Sequence, residues 1–486
     1  MKLTFLGASR NVTGSRYCLQ VGGTKVMIDC GLVQERAFQS RNWDPCPIPA
    51  GDIDLLLVTH AHIDHIGLIP KFVAEGFGGA IYATQPTAAL ADVMLKDSAK
   101  IQEEDAKYKR RRHRKEGREG PRPVVPLYTD EDVARTLPLF RGVNYREPVE
   151  VSPGIRVTWH DAGHILGSAS LEIRVTEDGC ERTILFSGDL GQHDKPLIHD
   201  PTYFRRADYV VMESTYGDRD HDVHGGIETQ LEVIAKRTLS RGGNLIIPVF
   251  AVERAQEMMF FLSRLVHEDR IPDVPIFLDS PMAYDATTIF RDFEDWLDDE
   301  TRRLIEADEP PLRFPGLRLT RTTQESKAIN EVKKPCIIMA PAGMCNAGRI
   351  KHHLRANIGR PESTILFVGF QAEGTLGRRL LSGESEVRIH GREHRVAAQI
   401  EQVLGLSGHA DRKGLLRWLE HFESPPRKLF LTHGEESAAL ALQKTIQDRF
   451  GFDVSVPAYQ TAHVFDDDGP SLVRPGEDVA IAARPQ

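Results

Sequence analysis

Asp54-Leu55-Leu56-Leu57-Val58-Thr59-His60-Ala61-His62-Ile63-Asp64-His65 runs from an apolar stretch directly into three imidazoles and a carboxylate within six residues. Imidazole nitrogen and carboxylate oxygen bind borderline divalent cations, and a donor set without sulfur points to an open hydrolytic site rather than a closed structural one. The apolar stretch predicts a strand ending at Thr59, which throws the four donors onto a tight loop whose alternate side chains can diverge toward two ions. A helix opening near Ile66 then fixes that loop. Any one of these histidines alone is better explained as a surface-turn or satisfied core residue. Four donors at this spacing are not, and they amount to the ligand inventory of two zinc ions.

Four further donors stand where strand-like runs end: Asp29 after Val26-Met27-Ile28, His164 after residues 155–159, Asp189 after Ile184-Leu185-Phe186, and His433 after Leu429-Phe430-Leu431. Strand ends on one side of a sheet converge in space, so a composite site is expected despite the sequence separation. Gly163, Gly188 and Gly434 accompany three of them and permit close backbone approach or turns of positive φ. Taken singly, each Asp or His is an ordinary turn residue.

Around these motifs, 486 residues are too many for one ordinary core and predict two domains. Hydrophobic residues make up 41% and charged residues 27%, and no run approaches the ~18 apolar residues of a membrane span. The N-terminus reads as a first strand over residues 2–6, without the apolar core and cleavage site of a secretion signal, so a cytoplasmic location is expected. Cys18, Cys30, Cys46, Cys180, Cys336 and Cys345 are scattered, without a Cys-x-x-Cys pair, and read as reduced thiols, mostly buried. A net charge of -9 argues against nonspecific coating of nucleic acid but is compatible with a local basic channel.

Strand-like runs at 2–6, 17–21, 25–28, 55–59, 155–159, 171–175 and 183–186 make the first two hundred residues β-rich, with helical patterns at 86–99 and after His65. Beyond Glu213 helix and strand alternate (228–240, 244–248, 253–266, 276–279), as in a parallel α/β unit. Short strands resume after about Arg395, so the α/β segment reads as an insertion into the first domain. One charge run is unabsorbed by this scheme: Lys107, Lys109, Arg110, Arg111, Arg112, Arg114, Lys115 and Arg118, followed by Pro121 and Pro123. A solvated helix end or loop is its ordinary explanation, and phosphate contact the functional one.

In this order the residues resemble the metallo-β-lactamase superfamily, and within it the β-CASP nucleases. Residues 59–65 are similar to the superfamily's signature loop, Gly163-His164-Ile165-Leu166-Gly167-Ser168 to its third motif and Ser187-Gly188-Asp189 to its fourth. Glu213 in Glu213-Ser214-Thr215-Tyr216-Gly217 resembles β-CASP motif A, His409 in Ser407-Gly408-His409-Ala410-Asp411 motif B, and His433 in Thr432-His433-Gly434-Glu435 motif C. The match spans nearly the whole chain.

The resemblance implies an α/β fold, an αββα metallo-β-lactamase sandwich (1–212 and 395–486) with an inserted β-CASP domain (213–394). It implies that His60, His62 and His164 hold one zinc ion, that Asp64, His65 and His433 hold the other, that Asp189 bridges both, and that Asp29 orients the ligand loop from behind. His409 becomes the acid for the departing 3′ oxygen and Glu213 its hydrogen-bond partner. A histidine at motif B is typical of RNA-directed members, so the implied partner is RNA, single-stranded; a homodimer is compatible with the family. Gly343-Met344-Cys345-Asn346-Ala347-Gly348-Arg349 and the stretch from Gly369 to Arg378 are similar to segments of the β-CASP cap, and make Arg349 and Arg378 the RNA-contact candidates. No added RNA-binding module is expected before Met1 and no large dimerisation domain after His433.

The implied activity is zinc-dependent hydrolysis of RNA to a 5′ phosphate and a 3′ hydroxyl, endonucleolytic, with 5′-to-3′ exonuclease action also open. A thioesterase or lactamase of the same superfamily fits residues 60–65 alone and is disfavoured by motifs A to C. A flavodiiron oxidoreductase is disfavoured by His62, where that branch carries a carboxylate. A noncatalytic β-CASP scaffold, which loses ligands, is disfavoured by the intact donor set.

Overall fold

The computed structural model describes residues 1–117, 119, 123–177, 179–221, 226–466 and 469–473. The chain divides into two compact units, the first from Met1–His193, Asp200–Asp220 and His409–Gln486 so far as described, the second from Asp194–His199 and His221–Gly408. These exchanges fall later than the 212/213 and 394/395 expected from the sequence, for local reasons. The turn after Glu213 stays with the first unit because Arg412 and Lys413 grip Asp220 at 3.2 Å. Strand Gln399–Gln402 stays with the second because it pairs with Thr364–Phe367 at the edge of that unit's sheet.

In the first unit an eight-stranded sheet has the order Gly469–Val473, Ala462–Asp466, Lys2–Phe5, Tyr17–Val21, Thr24–Ile28, Leu55–Leu57, Ala80–Thr84, Phe140–Val143. A seven-stranded sheet has the order Val454–Ser455, Lys428–Thr432, Tyr209–Glu213, Cys180–Phe186, Ala169–Glu177, Ile155–Asp161, Val149–Ser152. Side chains alternate across a strand, so Ile155, Val157 and Trp159 point inward while Arg156 points to water. They join Leu3, Phe5, Ile28, Leu57, Leu171, Phe186 and Phe430 in one core between the sheets. On the outer face of the seven-stranded sheet, helices Arg412–Glu420 and Glu436–Phe450 bury Leu415, Leu416, Leu442 and Ile446 against Leu185, Val210 and Leu429. Helix Gln85–Glu116 packs along Ala80–Thr84 and Phe140–Val143 of the other sheet and buries Leu90, Ala91 and Leu95. Two sheets face to face with helices outside is the layered α/β class expected from the sequence.

The second unit carries a six-stranded, wholly parallel sheet in the order Leu317–Thr320, Ile276–Asp279, Ile337–Ala340, Leu245–Pro248, Thr364–Phe367, Gln399–Gln402. Apart from Asp279 and Thr364 at strand ends, its inner strands are apolar, and all are buried along their whole length, as a parallel sheet covered on both faces requires.

Three local expectations are corrected. The strand expected to reach Thr59 ends at Leu57, because Thr59 is turned onto Asp29. The helix expected near Ile66 opens at Ile63, so Asp64 and His65 lie in a helical turn. The helix expected over 86–99 runs on to Glu116, carrying most of the basic run; Arg118 and Pro121 lie outside the described residues. Among the described residues no helix is long and apolar enough to cross a membrane. All six cysteines are free, with Cys18, Cys30, Cys336 and Cys345 buried, Cys46 half-buried and Cys180 exposed.

Candidate metal centre

Asp29 follows strand Thr24–Ile28 in a left-handed conformation, φ 53°, which turns its buried carboxylate back along the sheet edge. Its Oδ1 accepts Thr59 N at 2.8 Å, and its Oδ2 accepts the Thr59 hydroxyl at 2.8 Å and faces His65 Nδ1 at 2.7 Å. With its one proton given to Asp29, the Thr59 hydroxyl can only accept from His60 Nδ1, 3.1 Å away. Both histidines therefore carry the proton on Nδ1 and present Nε2 as a lone pair, the arrangement by which a neighbouring carboxylate orients metal-ligating imidazoles. At the far strand, His433 sits at φ 48° after Lys428–Thr432, and the Thr215 hydroxyl donates to its carbonyl at 3.0 Å while lying 3.1 Å from Nδ1. Its Nε2 is thereby also left as an acceptor. His164 is placed by its own loop, where Ser168 Oγ accepts His164 N at 3.0 Å and Ile165 N at 3.2 Å.

The lone pairs meet. His62 Nδ1 lies 3.1 Å from His60 Nε2 and 3.0 Å from His164 Nε2, and Asp189 Oδ2 lies 3.4 and 3.6 Å from the same two Nε2 atoms. Asp189 Oδ1 lies 3.3 Å from His65 Nε2 and 3.6 Å from His433 Nε2, which is 3.4 Å from Asp64 Oδ2. Donors bound to one tetrahedral zinc at 2.0–2.1 Å stand about 3.3–3.4 Å apart. Two quartets with those spacings share Asp189, one oxygen in each. Among the described residues, the buried Asp189 Oδ1 and His433 Nε2 have no hydrogen-bond partner of standard geometry. Such orphaned atoms are costly unless something else satisfies them, and a cation in the second quartet, to which both belong, would do so. The residues fit a pair of divalent ions.

The charge states agree with that fit in the first quartet. In the second, burial is outweighed by carboxylates, Asp189 and Asp29 raising His65 well above its usual value and Asp189 and Asp64 raising His433, so a cation there would have to displace protons. Burial pushes the His62 imidazole down to about 4, and burial together with the other imidazoles holds His60 well below its usual value, so both are neutral as ligation needs. Burial opposes the charge on Asp189 and Asp64, but the imidazoles around them win, holding Asp189 well below the usual carboxylate range and Asp64 at about 2.

Beside the quartets, Glu213 closes strand Tyr209–Glu213, is buried, and accepts Leu190 N at 2.6 Å. Both of its oxygens are 3.1 Å from His409 Nδ1. Burial works against a charged His409, yet the adjacent Glu213 carboxylate raises it to about 9. The ring keeps an exposed edge, 21% of the side chain, and its Nδ1 lies 3.9 Å from Asp189 Oδ2. A donor atom of His409 is also within ligand-sharing range of Asp189 and His433, so the pair sits at the margin of the ion site.

The first unit thus gathers His60, His62, Asp64, His65, His164, Asp189, Glu213, His409 and His433, with Asp29 behind them. Arg349 and Arg378 belong to the second unit. Arg349 donates to Asp279 Oδ1 at 2.7 Å and to the Arg321 carbonyl at 2.8 Å, while Arg378 is exposed on the short helix Leu376–Leu381. Sequence reasoning passed over Thr59, Thr215 and Ser168, which set the tautomers and loop geometry. All three stand inside the quoted motifs, Thr59 one position before His60, Ser168 four after His164 and Thr215 two after Glu213.

Gly31 shows how tightly the loops are fitted. A Cβ there would stand 1.6 Å from the Asp64 carbonyl oxygen, in a stretch pinned by Cys30 N to His65 O at 2.7 Å and Ser15 N to Asp64 O at 2.9 Å. Gly31→Ala must push the Asp64-His65 turn outward, so it is expected to lower both bound metal, read by elemental analysis, and the melting temperature. Unchanged values of both would show that the turn yields without moving its ligands.

Three domain families match the chain: a metallo-beta-lactamase superfamily domain over residues 18–192, a Beta-Casp domain over 255–380, and a Zn-dependent metallo-hydrolase RNA specificity domain over 393–457. Among curated proteins, the chain is 36% identical to Ribonuclease TTHA0252 of Thermus thermophilus, over 94% of this chain and 99% of that protein. It is 33% identical to Transcription termination factor FttA of Methanocaldococcus jannaschii and 31% identical to that of Methanosarcina mazei, covering 94% and 92% of this chain and 70% and 69% of those longer proteins. A crystal structure of an Enterococcus faecalis protein of unknown function superposes with a TM-score of 0.54 at 12% identity, over 95% of this chain and 99% of that one, a likeness of fold alone.

Proposed function

The chain belongs to the β-CASP family of the metallo-β-lactamase superfamily, and on that premise we propose that it is a zinc-dependent ribonuclease that hydrolyses RNA phosphodiesters with two ions. The observation that carries the reading is Asp189, whose two oxygens each face a separate set of orphaned or converging donors. His60, His62 and His164 would hold one ion, Asp64, His65 and His433 the other, with Asp189 common to both. Two such ions supply Lewis-acid activation of water and offset the charge on a phosphodiester.

The remaining chemistry belongs to the side chains. Water adds to phosphorus as the P–O3′ bond breaks, which leaves a 5′ phosphate and requires a proton at the departing O3′. His409 is suited to provide it, because Glu213 binds Nδ1–H and leaves Nε2–H to point elsewhere. Glu213 is itself fixed by Leu190 N and acts as a positioning residue. Glu213→Gln keeps the shape and removes the charge, so it is expected to slow cleavage less than loss of His409 does, with metal content unchanged; a variant that loses metal would place Glu213 in the ion site instead. Arg378, exposed beside a helix start, is the RNA contact retained from the sequence. Arg349, committed to Asp279, is better suited to bracing the second unit than to binding phosphate.

The test uses zinc-loaded protein and end-labelled RNAs bearing a 5′ phosphate or a 5′ hydroxyl, resolved by length. Internal fragments with 5′-phosphate ends are expected; stepwise release of mononucleotides from the 5′ end would identify the exonucleolytic mode. No cleavage of any RNA, alongside hydrolysis of a thioester or lactam, would replace the reading with that of a small-molecule hydrolase.

A further inference from the structure

Resting on the ribonuclease reading, we infer that the projecting end of helix Gln85–Glu116 is a second RNA-binding site, remote from the metal centre, that engages the phosphates of long substrates. Residues 107–116 hold seven cations, Lys107, Lys109, Arg110, Arg111, Arg112, Arg114 and Lys115, against the single acid Glu116. Ala106 is the last buried residue of the helix, and beyond it every side chain is exposed except the half-buried His113. The helix is anchored just before that point. Leu127 N donates to Gln102 Oε1 at 3.0 Å, and the Tyr128 hydroxyl to Ser98 Oγ at 2.7 Å. The remainder of the helix stands away from the unit for about 15 Å, at 1.5 Å per residue.

Its charges are not arranged for self-neutralisation. Lys107 pairs with Glu103 at 3.8 Å and Arg112 with Glu116 at 2.7 Å. Among the described residues, no carboxylate lies within ion-pairing distance of Lys109, Arg110, Arg111, Arg114 or Lys115. At helical spacing Lys107, Arg110, Arg111 and Arg114 fall on one stripe at i, i+3, i+4 and i+7, where like charges repel and disfavour the helix. A stripe of that kind gains only from an external polyanion. Arginine predominates, and its planar fork matches phosphate. Tyr108, 67% exposed within the run, offers a face on which a base can stack. The whole chain carries a net charge of -9, so attraction to RNA is confined to such a patch.

The distance makes the inference specific. At the other end of the helix, the Thr84 and Thr87 hydroxyls donate to the Gly167 carbonyl at 2.6 and 2.8 Å, three residues past His164. Lys107 lies 22 residues beyond Gln85, about 33 Å along the axis, which places the stripe more than about 15 Å from His164 whatever the direction of the helix. A short RNA cannot touch both places, whereas a long one can.

The test compares wild type with Arg110→Gln/Arg111→Gln/Arg114→Gln, using fluorescence anisotropy on labelled RNAs of about 4 and about 30 nucleotides across a salt series. Glutamine is a good helix former, and circular dichroism with short-RNA cleavage checks that fold and centre persist. Losing three phosphate contacts is expected to flatten the log–log salt slope for the long RNA by about 2, weakening its binding about ten-fold or more at low salt, with the short RNA unaffected. The arginine-to-lysine triple variant should keep most of the slope. An unaltered slope for the long RNA overturns the inference, and so does normal RNA binding together with lost binding of an acidic polypeptide. Wild-type protein that binds long RNA through this helix yet cleaves none would count against the ribonuclease reading, not against the site.

Discussion

Asp189→Ala is expected to remove bound zinc and to reduce RNA cleavage by about 10³-fold or more, the loss incurred when several kcal/mol of transition-state stabilisation by metal ions is withdrawn. Its two carboxylate oxygens serve one donor set each: Oδ2 faces His60 and His164, Oδ1 faces His65 and His433. Removing the carboxylate leaves each ion with three ligands at most and leaves buried imidazoles facing one another without the anion that balances them. Asp189→Asn sharpens the test. Its amide offers one oxygen acceptor and one nitrogen donor, so it can serve one quartet and not the other. Elemental analysis should find about one ion per chain in Asp189→Asn and fewer in Asp189→Ala. Full cleavage by Asp189→Ala would show that hydrolysis does not depend on this carboxylate.

His409→Ala is expected to slow cleavage by about 10²- to 10⁴-fold, the range of a lost general acid, with both ions retained. His409 lies close enough to Asp189 and His433 to be suspected of ligation, and metal content decides between the two roles. The substrate can be made to answer as well. A 3′-thiolate leaving group needs little protonation, so an RNA with a 3′-phosphorothiolate linkage should be cleaved by the variant at close to the wild-type rate. If the variant loses an ion, or if the thiolate substrate is slowed as much as ordinary RNA, His409 is not the acid.

Much of this centre was legible in the sequence because the donors are strand-end residues. The runs before Asp29, Asp189 and His433 are apolar, their ends are marked by polar or glycine residues, and strands of facing sheets bring such ends together. Where the sequence misled, a side-chain hydrogen bond overrode local propensity. Thr59 reads as a strand residue but is drawn out of the sheet by Asp29, and the helix begins at Ile63 rather than at Ile66. The helix outruns the 86–99 expected from the sequence because beyond Ala99 its only buried residue is Ala106, so no apolar periodicity marks the remainder. Thr215, which faces a ring nitrogen of His433, and Ser168, which holds the backbone of the His164 loop, stand within the motifs, but neither role carries a spacing signature.

Anomalous diffraction at the zinc edge from crystals of the metal-loaded protein tests the central claim most directly. Two peaks about 3.5–4 Å apart are expected, one ringed by His60, His62 and His164, the other by Asp64, His65 and His433, with Asp189 between them. A single peak, or zinc bound away from Asp189, would contradict the two-ion account.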